Sequence, residues 1–162
     1  MVHANRASNR MNQTYTCETP EATFTLGERL GGEIRGGEVL LMRGGLGAGK
    51  TLLTKGILHT LRFDVDEVTS PSFSLVNLYK TERFDVYHID LWRIDEGSDA
   101  AFAVGLDDIL DDPNAVVIIE WAERLGSRNF PSRVVSIGIA GDGDEPRQIT
   151  IERSEQSSAN VV

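Results

Sequence analysis

The residues Gly44 to Thr51, reading GGLGAGKT, carry the densest chemical signal in this 162-residue chain. They meet the pattern GxxxxGK[ST] through Gly44, Gly49, Lys50 and Thr51. Glycines in such a run let successive backbone N–H groups turn inward around an anion, in conformations that side chains obstruct. Lys50 offers a point charge to terminal phosphates and Thr51 a hydroxyl to magnesium, while a helix starting here aims its positive end at the same place. The expected ligand is therefore a magnesium nucleoside triphosphate. Its expected contacts are Gly44, Gly45, Leu46, Gly47, Ala48, Gly49, Lys50, Thr51 and Leu52.

Hydrolysis asks for more than a cradle: an acid to hold the metal and a group to place the attacking water. Two carboxylates stand where apolar segments end. Glu120 follows AVVII, where a desolvated carboxylate is costly without a cation beside it, so it is read as a metal ligand in preference to one half of a structural ion pair. Asp90, in YHIDLWR, is read as a metal-shell or water-positioning residue against a plain strand-end acid, and is paired with Lys50 as catalytic. The hydroxyl-rich stretch Thr69-Ser70-Pro71-Ser72-Phe73-Ser74 lies where nucleotide-sensing segments often occur, and Ser72 is the preferred contact within it; ordinary turn chemistry is the competing explanation. His88, Trp92 and Trp121 read as packing or as satisfied core hydrogen bonds. Arg93 is either a cis stabiliser of phosphate charge or a solvated side chain. The acidic pairs Asp107-Asp108 and Asp111-Asp112 read as helix-end and surface charge.

These groups need elements to hold them. A short strand at Thr14 to Cys17 leads to a helix capped by Thr19, with Pro20 at its first position and a stripe of Leu26, Leu30 and Ile34, ending at Gly36-Gly37. Glu38 to Arg43 reads as a buried parallel strand feeding the glycine loop, followed by a helix from Gly49 to Leu61. Leu75 to Tyr79 and Arg83 to Leu91 suggest a hairpin, residues 98 to 110 one or two short helices, and Ala115 to Ile119 a fully buried strand delivering Glu120. Val134 to Ile139 and Gln148 to Glu152 close the pattern as a strand pair. The fold expected is α/β, a three-layer P-loop NTPase with a mixed, mostly parallel central sheet. One domain spans residues 14–153, with mobile tails at 1–13 and 154–162.

Sixteen Lys+Arg against 25 Asp+Glu give a net charge of −9, which opposes nonspecific binding to nucleic acid or an anionic membrane. Any RNA is expected to be held by a partner. One cysteine, Cys17, forms no internal disulfide, and no spacing suits zinc. No apolar run approaches the ~20 residues of a membrane span, and MVHANRASNRMNQ lacks the core of a signal peptide, so a cytoplasmic location is expected.

In order and spacing, LLMRGGLGAGKT, VTSPSFSLVNLY, VYHIDLWRI, GLDDIL and VVIIEWAERL resemble the bacterial TsaE (YjeE) family over roughly residues 14–140. The combination is what is specific, since phosphate loops are widespread. The resemblance implies a small Mg²⁺-dependent ATPase, weak alone, working with a TsaB-TsaD heterodimer in threonylcarbamoyl adenosine modification of tRNA, with tRNA touched only indirectly. It implies that Lys50 and Thr51 hold phosphate and magnesium, that Ser72 is the switch hydroxyl, that Asp90 and Glu120 are the acidic pair, and that Trp121 stands beside them. Gly45, Ser72 and Ala122 depart from the family's usual Asp, Thr and Pro. Two rivals from other classes are a small-molecule P-loop kinase, with Arg124, Arg128 and Arg133 as a phosphate lid, and a nucleotide-gated docking module. A guanine-specific switch lacks its Asn-Lys-x-Asp segment after the loop.

Overall fold

The computed structural model describes residues 11–154. Most of both expected tails lies outside those residues. Met11, Asn12 and Gln13, assigned to the first tail, instead extend the opening strand, and Ser154 ends the last one, because each pairs across the sheet.

The order of elements is β1 (Met11–Cys17), α1 (Pro20–Glu33), β2 (Val39–Gly44), α2 (Lys50–Thr60), β3 (Val76–Lys80), β4 (Asp85–Asp90), α3 (Ala100–Val104), α4 (Leu106–Leu110), β5 (Ala115–Glu120), β6 (Val134–Ala140) and β7 (Arg147–Ser154). Single 3₁₀ turns occupy Val65–Glu67 and Ala122–Leu125. Helix α1 begins as its sequence dictates, with the Thr19 hydroxyl accepting from Ala22 N at 3.1 Å and Pro20 at the first position. It stops short of Gly36-Gly37. The buried Glu38 carboxylate takes the N–H groups of Arg35 and Gly36, each at 2.8 Å, and so draws the chain out of helical geometry early. The segment around 98–110 splits into α3 and α4 at Gly105, whose φ of 65° ends one helix and starts the next.

Seven strands form one sheet in the order β1-β7-β6-β2-β5-β4-β3. The central run β6-β2-β5-β4 is parallel, and antiparallel pairs close both edges, β3 on β4 at one side and β6, β7 and β1 at the other. The sheet is thus mixed, with its parallel part confined to the centre. Alternation along β2 and β5 separates two cores. Leu40, Met42, Val116 and Ile118 pack under α1 and α2 with Leu30, Leu53 and Ile57, whereas Val39, Leu41, Val117 and Ile119 pack with Leu106 and Ile109 of α4. This is the three-layer arrangement.

Helices α1 and α2 approach closely enough to exclude side chains at their contact. A methyl placed on Gly56 would sit 2.1 Å from Phe24 O, and one on Gly27 2.3 Å from Leu53 O. That contact sets the tilt of α2, and the first turn of α2 carries Lys50 and Thr51.

Candidate functional site

The loop between β2 and α2 takes the shape its glycines allow: Gly47 has φ 74° and Gly49, the N-cap of α2, φ 109°. Gly44 is needed for a different reason, since a Cβ there would lie 2.7 Å from Ile139 O of the neighbouring strand. At Gly45 the position is open, with nothing within 4 Å of a built Cβ. The departure from the family's usual residue is therefore sterically neutral. The loop is braced from far along the chain by Arg147, which donates to Ala48 O at 3.0 Å and Gly47 O at 3.3 Å. The same guanidinium grips Gly143 O and Glu145 O of the β6–β7 turn.

Lys50 is almost fully buried, and its ammonium donates to the carbonyls of Gly44 and Gly45 at 2.7 and 2.8 Å. It also lies 4.3 Å from the centroid of the Trp121 indole. Burial pushes the Lys50 pKa down, opposed by the negative charges of Glu120, Glu123 and Asp90. The ammonium is thus held in a partly desolvated place beside acids, where an incoming polyphosphate would favour its charged form.

The two strand-end acids are neighbours because β4 and β5 are parallel and in register, Asp90 opposite Glu120. Glu120 Oε1 accepts from Thr51 Oγ1 at 3.0 Å and faces His88 Nε2 at 3.1 Å. Asp90 has both oxygens engaged by its own chain, Oδ1 by Trp92 N at 2.9 Å and Oδ2 by Ser70 Oγ at 2.8 Å. Ser72, the favoured hydroxyl, lines the same cleft and bonds to Ser70 Oγ at 3.1 Å, one link farther from the acid. Trp121 follows Glu120 with φ 58°, a left-handed conformation that costs about 1–3 kcal/mol for a non-glycine residue. The strain turns its indole against Lys50 and onto Trp92, 4.3 Å away between ring centroids.

These groups line one cleft of about 380 Å³, from Leu46 to Leu52 on one wall to Ser70, Ser72, Asp90, Trp92, Arg93, Glu120 and Trp121 on the other. Every sequence-predicted site residue either lines this cleft or, for Gly44 and Gly45, offers its carbonyl to Lys50. A second recess of about 230 Å³ shares Gly47, Ala48, Gly49 and Leu52, and is walled by the β1–α1 junction, Cys17 to Pro20, and the turn at Gly143 to Glu145. Arg93 rests on the Phe73 ring at 4.4 Å and lines the main cleft. The three arginines of the kinase alternative are engaged elsewhere: Arg124 on Ile94 O, Arg128 in an ion pair with Asp107, Arg133 on Glu38.

Sequence reasoning missed Ser70 and Arg147 and gave His88 no part in the site. Ser70 sat in the segment already singled out; nothing in the sequence marks Arg147 as a loop brace.

Among the described residues, no cluster of three or more His, Cys, Asp and Glu is built to hold a metal by itself. The donor set present is a threonine hydroxyl beside a buried carboxylate, all oxygen. That suits magnesium, which keeps waters and takes its remaining ligands from a bound phosphate.

The sequence profile described as Threonylcarbamoyl adenosine biosynthesis protein TsaE matches residues 17–149. The tRNA threonylcarbamoyladenosine biosynthesis protein TsaE of Mycobacterium tuberculosis (strain ATCC 25618 / H37Rv) is 38% identical over 132 residues, covering 75% of this chain and 77% of that protein. Its counterpart in Bacillus subtilis (strain 168) is 32% identical over 131 residues, covering 81% and 79%. In three dimensions the chain is similar to the crystal structure of Bacillus subtilis YdiB, with a TM-score of 0.70, 26% identity, and 92% and 90% of the two chains covered. Phosphate loop, paired strand-end acids, sheet order and these likenesses converge on one conclusion: the chain belongs to the TsaE family, on a P-loop NTPase fold.

Proposed function

We propose that this protein binds ATP with Mg²⁺ and hydrolyses it slowly, in support of threonylcarbamoyl adenosine formation on tRNA by a TsaB-TsaD pair. The observation carrying this reading is the meeting in one cleft of Asp90 and Glu120, at the carboxyl ends of the adjacent parallel strands β4 and β5, with Lys50 and Thr51 of the first turn of α2.

The loop amides receive the phosphates, and Lys50 neutralises their terminal charge. Thr51 and Glu120 hold the magnesium, since their oxygens already lie 3.0 Å apart. When bound, that ion neutralises charge on the transferring phosphoryl group. Asp90 orients the water and its surroundings through Ser70, because both its oxygens are committed to positioning contacts. The Trp121 indole keeps solvent from the Lys50 side of the cleft. The base and ribose occupy the recess on the other flank of the loop, between the β1–α1 junction and the β6–β7 turn.

A nucleotide-gated docking role is compatible with this chemistry and has its own support. Leu46 (75% exposed) and Trp92 (38%) line the cleft, and Phe73 (87%) lies under Arg93, which also lines it; together they expose apolar surface where a partner would sense the bound nucleotide.

Phosphate release from ATP, measured alone and with a TsaB-TsaD pair, tests the reading. Stimulation by the pair is expected; equal rates with and without it count against the assignment. Glu120→Ala is expected to lower release about 100-fold, the scale of losing one electrostatic contact to the transition state, and to stop repeated rounds of tRNA modification. Full modification by that variant would leave only the docking role.

A further inference from the structure

Both strand-end acids are connected to the segment Thr69 to Ser72, by different routes. Asp90 is tied directly, through Ser70 Oγ at 2.8 Å. Glu120 is tied through two buried rings. Its Oε1 lies 3.1 Å from His88 Nε2. On the far side of that imidazole, Nδ1 lies 3.4 Å from the Tyr79 hydroxyl. Tyr79 in turn donates to Thr69 O at 3.0 Å and accepts from Thr69 N at 3.3 Å and Asn77 Nδ2 at 3.1 Å.

Packing alone does not account for this chain. His88 is 0% exposed and Tyr79 5%, and a leucine and a phenylalanine would fill such places without introducing polar atoms to satisfy. The proton inventory is also specific. The Tyr79 hydroxyl has one proton and two acceptors in reach, Thr69 O and His88 Nδ1. Asn77 Nδ2 also donates to Thr69 O, at 3.2 Å, so that carbonyl keeps a donor when Tyr79 turns to the imidazole. In that arrangement Nδ1 accepts, Nε2 carries its proton, and the proton points at Glu120. One carboxylate oxygen, Oε1, thereby receives both the imidazole proton and the Thr51 hydroxyl, which fixes its orientation.

We propose that His88 is a positioning residue, which holds the Glu120 carboxylate against Thr51 and, through Tyr79, ties its orientation to the placement of Thr69 to Ser72. This rests on reading Glu120 as the acid that holds magnesium. Each strand-end acid then answers to the same segment, Asp90 through Ser70 and Glu120 through the two rings.

The test is equilibrium binding of the non-hydrolysable analogue AMPPNP to the full chain, in Mg²⁺ and in EDTA, with thermal melting to check folding. The wild-type chain is expected to tighten when Mg²⁺ replaces EDTA. His88→Leu should lose about ten-fold of that tightening, more than it loses in EDTA, as second-layer partners of metal ligands typically do. His88→Gln, whose amide can donate to Glu120, should recover most of it. In Tyr79→Phe, Mg²⁺-AMPPNP should no longer slow amide exchange over residues 69–74 as it does in the wild type. A folded His88→Leu that tightens like the wild type overturns the proposal, as does a Tyr79→Phe with the full exchange response. If His88→Leu does not fold, His88→Gln and Tyr79→Phe decide: rescue-level tightening with a lost exchange response supports the link, and any other combination sinks it. A wild type that binds AMPPNP equally in EDTA and Mg²⁺ would instead overturn the magnesium reading of Glu120 itself.

Discussion

Lys50 shows how far a motif specifies a residue and where its surroundings take over. The spacing after Gly44 marks it, but its desolvated seat between two carbonyls and an indole is what lowers its pKa. A bound polyphosphate favours the charged ammonium, so binding raises that pKa and takes up a proton whenever the free lysine is partly neutral. Affinity for nucleotide should therefore fall as pH rises through the lowered Lys50 value, and calorimetric titrations in buffers of different ionisation enthalpy should register proton uptake on that alkaline limb. Lys50→Met should abolish the uptake; a pH-independent affinity in the wild type would contradict the assignment. Thr51, Asp90 and Glu120 were legible for reasons of the same kind, from motif spacing or from a carboxylate at the end of an apolar run. The choice between Ser70 and Ser72 was not. It depends on the path of the turn through Pro71, which composition leaves free, and the turn presents Ser70 to the acid.

At the scale of elements, the α1–α2 contact determines where the first turn of α2 points. A methyl on Gly56 would overlap Phe24 O at 2.1 Å, and backbone rather than a movable side chain stands in the way. Gly56→Ala must therefore part the helices, and we expect a loss of about 1–3 kcal/mol in chemical denaturation, of the size usual for overpacking. Weaker nucleotide binding should accompany it, whereas Gly45→Asp, with open space around it, should leave the melting temperature unchanged within error. Strand and helix identities were readable from hydrophobic period and from caps such as Thr19-Pro20. Their ends were less so. The early stop of α1 comes from the Glu38 carboxylate reaching back to two amides, and the extension of β1 to Met11 comes from pairing with Arg153, both tertiary facts.

Across the whole molecule, charge and architecture divide the labour. A net charge of −9 repels a polyanion, so the chain alone should not retain tRNA in a filter-binding assay at physiological salt, and added TsaB-TsaD should be required for any co-retention. Salt-sensitive tRNA binding by the isolated chain would refute this. The three-layer sheet was legible because β2 and β5 carry short unbroken apolar runs, VLLM and AVVII, the mark of strands covered on both faces. The hairpin β3–β4 and the pair β6–β7 were legible as well, whereas the place of β1 was not, since it pairs with β7, more than 100 positions away, through contacts that no local pattern announces.

The brace from Arg147 to the phosphate loop has a consequence for biosynthesis. The loop is translated near residue 50, but its guanidinium partner lies about 100 positions later, and the strands that flank β2 also follow far behind it, Val39 pairing with Val117 of β5 and Val134 of β6. Such distant pairings close slowly and late. A nascent chain emerging from the ribosome therefore carries the complete glycine motif long before it owns a nucleotide site. On the proposed reading, nucleotide binding is expected only once β7 is made, so a chain truncated before Arg147 should keep the motif without the site.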